Sequence, residues 1–344
     1  MKKSLLALAM MGAFSGAYAQ SSVTIYGTVD AGLLKQTGTT TQVSKRDNNK
    51  LGFRGVEDLG SGLKALFQLE IRYESDTGTI ENTSGANSRP LFQGQSRVGL
   101  QGDFGTIRFG RGLSAYQETS TGYEPWSGMP TPVGFQTDLH VAGYTSDPLS
   151  QVGNSRNRFS NAVFYNTPVY NGFQLNVTVA AKEANNSPAI IGRGTALAPQ
   201  YPANAVPSAN PYSVSATYTA PSFSLMAGGE RNAVETKLWS VAAWVKPIAD
   251  LKLMASYQHQ DEGHTKAVND TTKAWVVGAN YTVGMGKILA GYGRKEPDGL
   301  PKTKQFSLGY EHNLSARTYL YIDASNKKAA TKVNTFSLGV HHNF

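Results

Sequence analysis

The amino-acid sequence predicts an all-β fold: a transmembrane, antiparallel, up-and-down β-barrel of 16 strands, with short periplasmic turns and long extracellular loops. Three observations support it. Apolar and polar residues alternate with period two through most of the chain. Tight turns alternate with connections that are mostly longer. The last strand, Val333 to Phe344, closes on an aromatic residue in a chain that opens with a secretory signal. A closed barrel is one of only two ways to carry backbone through lipid with every N–H and C=O paired.

Residues 1–19 have the plan of a cleaved signal peptide. Lys2 and Lys3 form the basic start, Ser4 to Phe14 the apolar stretch, and Ala17-Tyr18-Ala19 the small-residue cleavage site before Gln20. That stretch is too short to span a bilayer as a helix, and no later segment is continuously apolar. A helical membrane protein is thereby excluded, and residues 20–344 are expected to form a single barrel domain. The chain has no cysteine, so burial and hydrogen bonding must stabilise it without disulfides. Its 32 basic and 24 acidic residues give a net charge of +8, two of which come from Lys2 and Lys3. Those charges are scattered through alternating strands rather than gathered on one face, which argues against nucleic acid as a partner. Modest hydrophobicity (40 %) with 36 Gly and 17 Tyr suits strands with one greasy side and one wet side.

The first strand, Val23 to Ala31, has apolar or small residues at its odd positions. Leu63 to Tyr73 is sharper. Leu63, Ala65, Phe67, Leu69, Ile71 and Tyr73 share one face, and Lys64, Gln68, Glu70 and Arg72 the other. A soluble sandwich can alternate in this way too, but it would have short turns at both ends of its strands. Here the short turns (around Ser61, Asp103, Asn171, Pro221, Asp250, Gly284 and Leu314) belong to one end. Between them lie longer connections such as Glu74 to Gly94, Gly112 to about Ser155, and Glu183 to Pro211. About sixteen strands leave a bore too wide for side chains to fill, so water enters.

Several segments resemble the general diffusion porins of beta-proteobacteria. They are Ser22-Val23-Thr24-Ile25-Tyr26-Gly27, the run Leu51 to Ala65 around Glu57-Asp58-Leu59-Gly60, Gly102 to Arg111, Arg158 to Pro168, Gly309 to Ser315, and the C-terminal strand. The resemblance spans essentially all of residues 20–344, weakly in the long loops. It implies a homotrimeric outer-membrane channel for passive diffusion of ions and small hydrophilic solutes. It also implies a third external loop, at about 112–154, folded into the channel as a constriction. Phe344 corresponds to the C-terminal signature by which barrel-assembly machinery receives such chains, and the lipid of the outer membrane is a further partner.

Strand parity and the resemblance together nominate the constriction. Leu51, Phe53 and Gly55 take the lipid side, which points Lys50 and Arg54 into the lumen. Val98 and Leu100 face out, so Arg97 faces in; Val163 and Tyr165 face out, which turns Arg158 and Ser160 inward. Lys50 and Arg158 match positions of the family's constriction cations, whereas the family's third basic residue falls where this chain has Gly94 and Gln95. The opposing acids are expected from the loop after Arg111, as Glu118 and Glu124. A positive wall of this kind predicts a mild preference for anions. Tyr319 and Tyr321 are expected to face the lumen, hydrogen-bonding wall charges or serving as an aromatic track.

Other readings have less support. The six His (His140, His259, His264, His312, His341, His342) form no metal-binding spacing, and no cofactor or metal is expected. A barrel lipase or protease would need a Ser, a His and an acid converging on one face, and parity places no such triad, so the chain is not read as an enzyme. A plugged adhesin barrel would have a dry interior, against the many inward charges.

Overall fold

All neighbouring strands run antiparallel, and the ladder closes on itself. The computed structural model describes residues 22–81, 90–148, 157–181, 209–261 and 271–344, and the backbone of 192–195 and 198–200. The signal-peptide segment and His264 lie outside the described residues. In chain order the strands are β1 (Ser22–Gln36), β2 (Gln42–Ser44), β3 (Lys50–Gly60), β4 (Leu63–Arg72), β5 (Gln95–Gly102), β6 (Gly105–Leu113) and β7 (Arg158–Asn166). They continue with β8 (Phe173–Ala180), β9 (Gly192–Thr195), β10 (Ala198–Gln200), β11 (Tyr212–Thr219), β12 (Phe223–Arg231), β13 (Lys237–Ile248) and β14 (Leu251–Asp261). The last five are β15 (Thr271–Val283), β16 (Gly286–Pro297), β17 (Thr303–Asn313), β18 (Thr318–Lys328) and β19 (Lys332–Asn343).

Leaving aside the short β2 and the separate β9–β10 hairpin, sixteen strands make the wall. The seam is at β1, whose first half pairs with β3 and whose second half pairs with β19. Gly27 and Phe344 exchange backbone hydrogen bonds of 3.0 and 3.1 Å there, so the last residue is bonded into the ring. Closure leaves no unpaired edge to face lipid.

Side chains are sorted inversely to a soluble protein. Ile322 and Phe336 are 57 % and 59 % exposed on the outer face, while the adjacent Asp323 and Thr335, pointing inward, are 1 % and 2 % exposed. Lipid takes the place of a core for the outer residues, and groups packed inside the barrel, such as Arg46 and Trp126 against Asp323, shield these inner ones. Not every external connection is long: β12–β13, β16–β17 and β18–β19 are joined by segments as tight as the periplasmic turns.

Residues 114–148 do not project outward after β6; they run back inside the barrel. Ser114 caps helix α1 (Ala115–Ser120), its hydroxyl accepting from the Gln117 N–H. The loop then packs along the inner wall from β8 round to β18. The Ala115 and Tyr116 N–H groups donate to Thr178 Oγ1 (3.0 Å) and Ser213 Oγ (2.9 Å), and Tyr123 Oη meets Ser224 Oγ at 2.7 Å. Farther on, Gln305 Nε2 donates to the carbonyls of Val133 (2.9 Å) and Gly134 (3.0 Å). The wall behind the loop is cut low to admit it. A Cβ on Gly278 would lie 2.2 Å from Pro125 Cγ, and one on Gly291 would lie 2.5 Å from Phe135. The fully buried Trp126, Val133, Phe135 and Leu139 pack there against Val276 and Leu289, one of the buried apolar clusters that join the loop to the wall.

Candidate pore constriction

The loop leaves open the part of the lumen bounded by β1 and β3 to β7, and that wall is strongly basic. Cross-strand register places its residues. Arg54 lies opposite Gln68, Gln68 opposite Arg97, and Gly99 opposite Arg108, so all share the inner face. Tyr26 donates to Glu70 Oε2 at 3.1 Å and accepts from Gln68 Nε2 at 2.8 Å, while Arg97 Nη2 donates to Gln68 Oε1 at 2.8 Å. The Arg54 guanidinium sits 5.2 Å from the Tyr26 ring and that of Arg97 sits 5.4 Å from the Phe164 ring, cation–π contacts that hold both groups flat against the wall.

Glu70 is the wall's own carboxylate. Arg72 pairs with it at 2.8 Å, and Lys50 and Arg158 also act on it electrostatically. Arg158 reaches past β6 to donate to the Gly94 carbonyl, just before β5, at 2.7 Å. Gly94 makes this possible, because a Cβ there would stand 2.4 Å from Glu70 Oε1. The strand carrying Arg158 departs from the expected parity: Asn161 has φ +47°. Beyond this bulge it is Phe159 that turns inward, joining the buried cluster of Ala162, Phe164 and Ala180, so Arg158 and Ser160 do not take the inward positions that alternation gave them.

From the loop side, Glu118 faces this wall, 3.8 Å from Arg97 and 3.6 Å from Arg108, and its side chain is 38 % exposed. Glu124 does not face the opening. It is turned into the loop, 1 % exposed, where its carboxylate accepts from the Trp126 N–H (3.0 Å) and the Gly128 N–H (2.5 Å). Burial raises its pKa to about 7 despite those bonds. Sequence reasoning left out Arg108 and Arg72. The same alternation could have found both, since Ile107 and Phe109 face lipid and Arg72 had already been put on the polar face with Glu70.

Two further groups fasten the loops. Asp138 pairs with Lys295 and with Lys327 (2.5 Å) on the far wall. Burial works to raise its pKa, but the two lysines hold it down at about 2. Arg46, in the loop before β3, is wholly buried and pairs with Glu311 at 2.8 Å and Asp323 at 2.9 Å, and its guanidinium lies 4.8 Å from the Tyr321 ring. Asp323 also accepts from Trp126 Nε1 at 3.2 Å, so one carboxylate ties the first and third loops together. Tyr321 donates to Asp30 at 2.9 Å: it braces wall charges and offers no free aromatic track. His140, fully buried in the loop, bonds the Ser120 carbonyl through Nε2 (2.9 Å), which makes Nε2 the protonated nitrogen, and meets Ser256 Oγ through Nδ1 (3.0 Å). Burial lowers its pKa to about 4, so it is a neutral packing residue. Among the described residues no group of His, Asp and Glu is arranged to hold a metal ion.

A closed sixteen-stranded barrel, apolar outside and charged within, with a loop partitioning its bore, defines an outer-membrane diffusion channel. The chain belongs to the Gram-negative porin family, whose model matches residues 7–332. It is 32 % identical to outer membrane porin protein 32 of Delftia acidovorans over 96 % of this chain and 92 % of that protein. It is 26 % identical to an outer membrane porin of Bordetella pertussis over the full length of both. Among solved structures it is similar to an anion-selective porin from Comamonas acidovorans, with a TM-score of 0.78 and 24 % identity over 94 % of this chain and all of that one. A trimer form of OmpT of Vibrio cholerae matches with a TM-score of 0.67 and 15 % identity, over 94 % of this chain and 99 % of that one. The protein is thus a porin of the outer membrane that passes small solutes by passive diffusion, and its family comprises channels rather than enzymes.

Proposed function

We propose that this porin prefers anions and that the basic wall opposite the third loop sets the preference. One observation carries the reading: Lys50, Arg54, Arg72, Arg97, Arg108 and Arg158 converge on a stretch of wall where, among the described residues, the carboxylates in ion-pair contact with them are Glu70 and, from the loop, Glu118. Nε and Nη1 of Arg97 also find no acceptor among the described residues. An excess of fixed cations in a throat with low-dielectric walls concentrates mobile anions and repels cations. The similarity of the fold to the anion-selective porin from Comamonas acidovorans agrees with this reading. Glu118 tempers the field, and Glu124 acts by holding the loop in shape rather than by facing solutes. The trimer form of the OmpT structure supports a homotrimer here too, and Phe344 in the closing strand fits a role in presenting the chain for barrel assembly. The test is the reversal potential of the reconstituted protein in a salt gradient across a planar bilayer. An anion-side potential that falls on Lys50→Ser with Arg158→Ser is expected; cation preference, or no change in the double variant, refutes the proposal.

A further inference from the structure

The outer surface of the barrel carries a row of cations that the channel does not use. On the lipid-facing side, at the external ends of four consecutive strands, Arg294 of β16 lies directly opposite Lys304 of β17. Lys304 in turn lies opposite Lys328 of β18, and Lys328 opposite Lys332 of β19. These residues share their face with Phe306, Leu308, Ile322, Phe336 and Leu338, the exposed apolar residues that meet lipid. Like charges directly across a ladder repel. At about 4.8 Å per strand the row is about 14 Å long. One carboxylate answers part of it: Glu296 pairs with Arg294 at 2.7 Å and with Lys302 at 2.8 Å. No carboxylate among the described residues is in ion-pair reach of Lys304 or Lys328, both exposed.

The depth of the row is fixed independently. Each of three outward cations stands two residues on the loop side of an outward aromatic: Lys273 beyond Trp275, Arg294 beyond Tyr292, and Lys304 beyond Phe306. Trp275 and Tyr292 are in ring contact, with centroids 5.5 Å apart. Aromatic belts lie at the membrane–water boundary, so cations one step farther out lie at the level of the lipid headgroups.

We propose that this row on β16–β19 binds the phosphate groups of outer-leaflet lipid headgroups. An anionic headgroup relieves the repulsion between opposed lysines, which a second copy of the chain presenting the same face would add to. The charges project outside the barrel, so the site is separate from the channel and does not rest on the proposed ion preference.

The experiment compares the full-length protein with a Lys304→Gln, Lys328→Gln, Lys332→Gln variant by thermal unfolding in two environments. In neutral detergent the variant is expected to melt higher, because the opposed charges are gone. In vesicles containing a phosphorylated lipid the order is expected to reverse, with wild-type affinity for that lipid about tenfold to a hundredfold above the variant's. Single-channel conductance equal to wild type certifies that the variant is folded. A variant that melts higher in both environments, or lower in both, overturns the proposal. So does inorganic phosphate in solution that restores the wild-type advantage in detergent, since the site would then be one for free ions.

Discussion

Glu124 gives the third loop a pH dependence that can be worked through. Its carboxyl is buried among Trp126, Gly128 and Phe135, and burial raises its pKa from 4.5 to about 7. In the unfolded chain the same group ionises near 4.5. Between those two values the native state holds a proton that the unfolded state has released, so stability falls as pH rises. A displacement of this size corresponds to about 3 kcal/mol, with the native state most stable below 4.5 and the loss complete above about 7. Asp138 does not blur the window: its contribution is complete above 3.8 and is lost only as pH falls through about 2. The assay is denaturant unfolding across pH 4 to 8, comparing wild type with Glu124→Gln, whose neutral side chain keeps an acceptor for the loop N–H groups. The difference between the two proteins should shift in the variant's favour by about 3 kcal/mol over that range. A difference that stays flat with pH, or one that moves in favour of wild type, refutes the reasoning.

Other perturbations act on different parts of the same architecture. Glu118→Gln removes the carboxylate 3.6 Å from Arg108 and 3.8 Å from Arg97; since the pair is partly exposed, the effect is at most about 1 kcal/mol, a severalfold increase in the anion-to-cation permeability ratio read from reversal potentials. Gly278→Val sets a side chain where Pro125 now lies 2.2 Å from the Cβ position, pushing the loop into the bore; single-channel conductance should fall and stability drop by about 1–3 kcal/mol. Arg46→Ala leaves Asp323 and Glu311 without their buried partner and should destabilise the barrel by about 3–5 kcal/mol in denaturant unfolding.

Much of this porin was legible residue by residue. The sides taken by Arg54, Arg97, Val98 and Leu100 followed from alternation alone, because in a strand the period is two and needs no knowledge of neighbours. The periplasmic turns were legible for the same reason, since Gly, Pro, Asn and Asp reverse a chain by local geometry. Where a bulge breaks the count, at Asn161, alternation could not foresee that Phe159 would be buried. The two loop acids were indistinguishable in sequence, both lying in polar stretches between Leu113 and Trp126. In the structure one faces arginines across the opening, and the other is folded beneath Trp126.

The sequence by itself determined that a barrel forms, which way its faces point and roughly how many strands it has, because each of those depends on contacts between near neighbours. The tertiary structure decided the course of residues 114–148, the burial of Glu124 among them, and the partners of Arg46 and Asp138. Those pairings join groups as far apart in sequence as Arg46 and Asp323, and nothing local to either residue specifies the other. They form only once closure of the wall brings distant strands around one bore, where low dielectric makes an unpaired charge costly and a matched one stable.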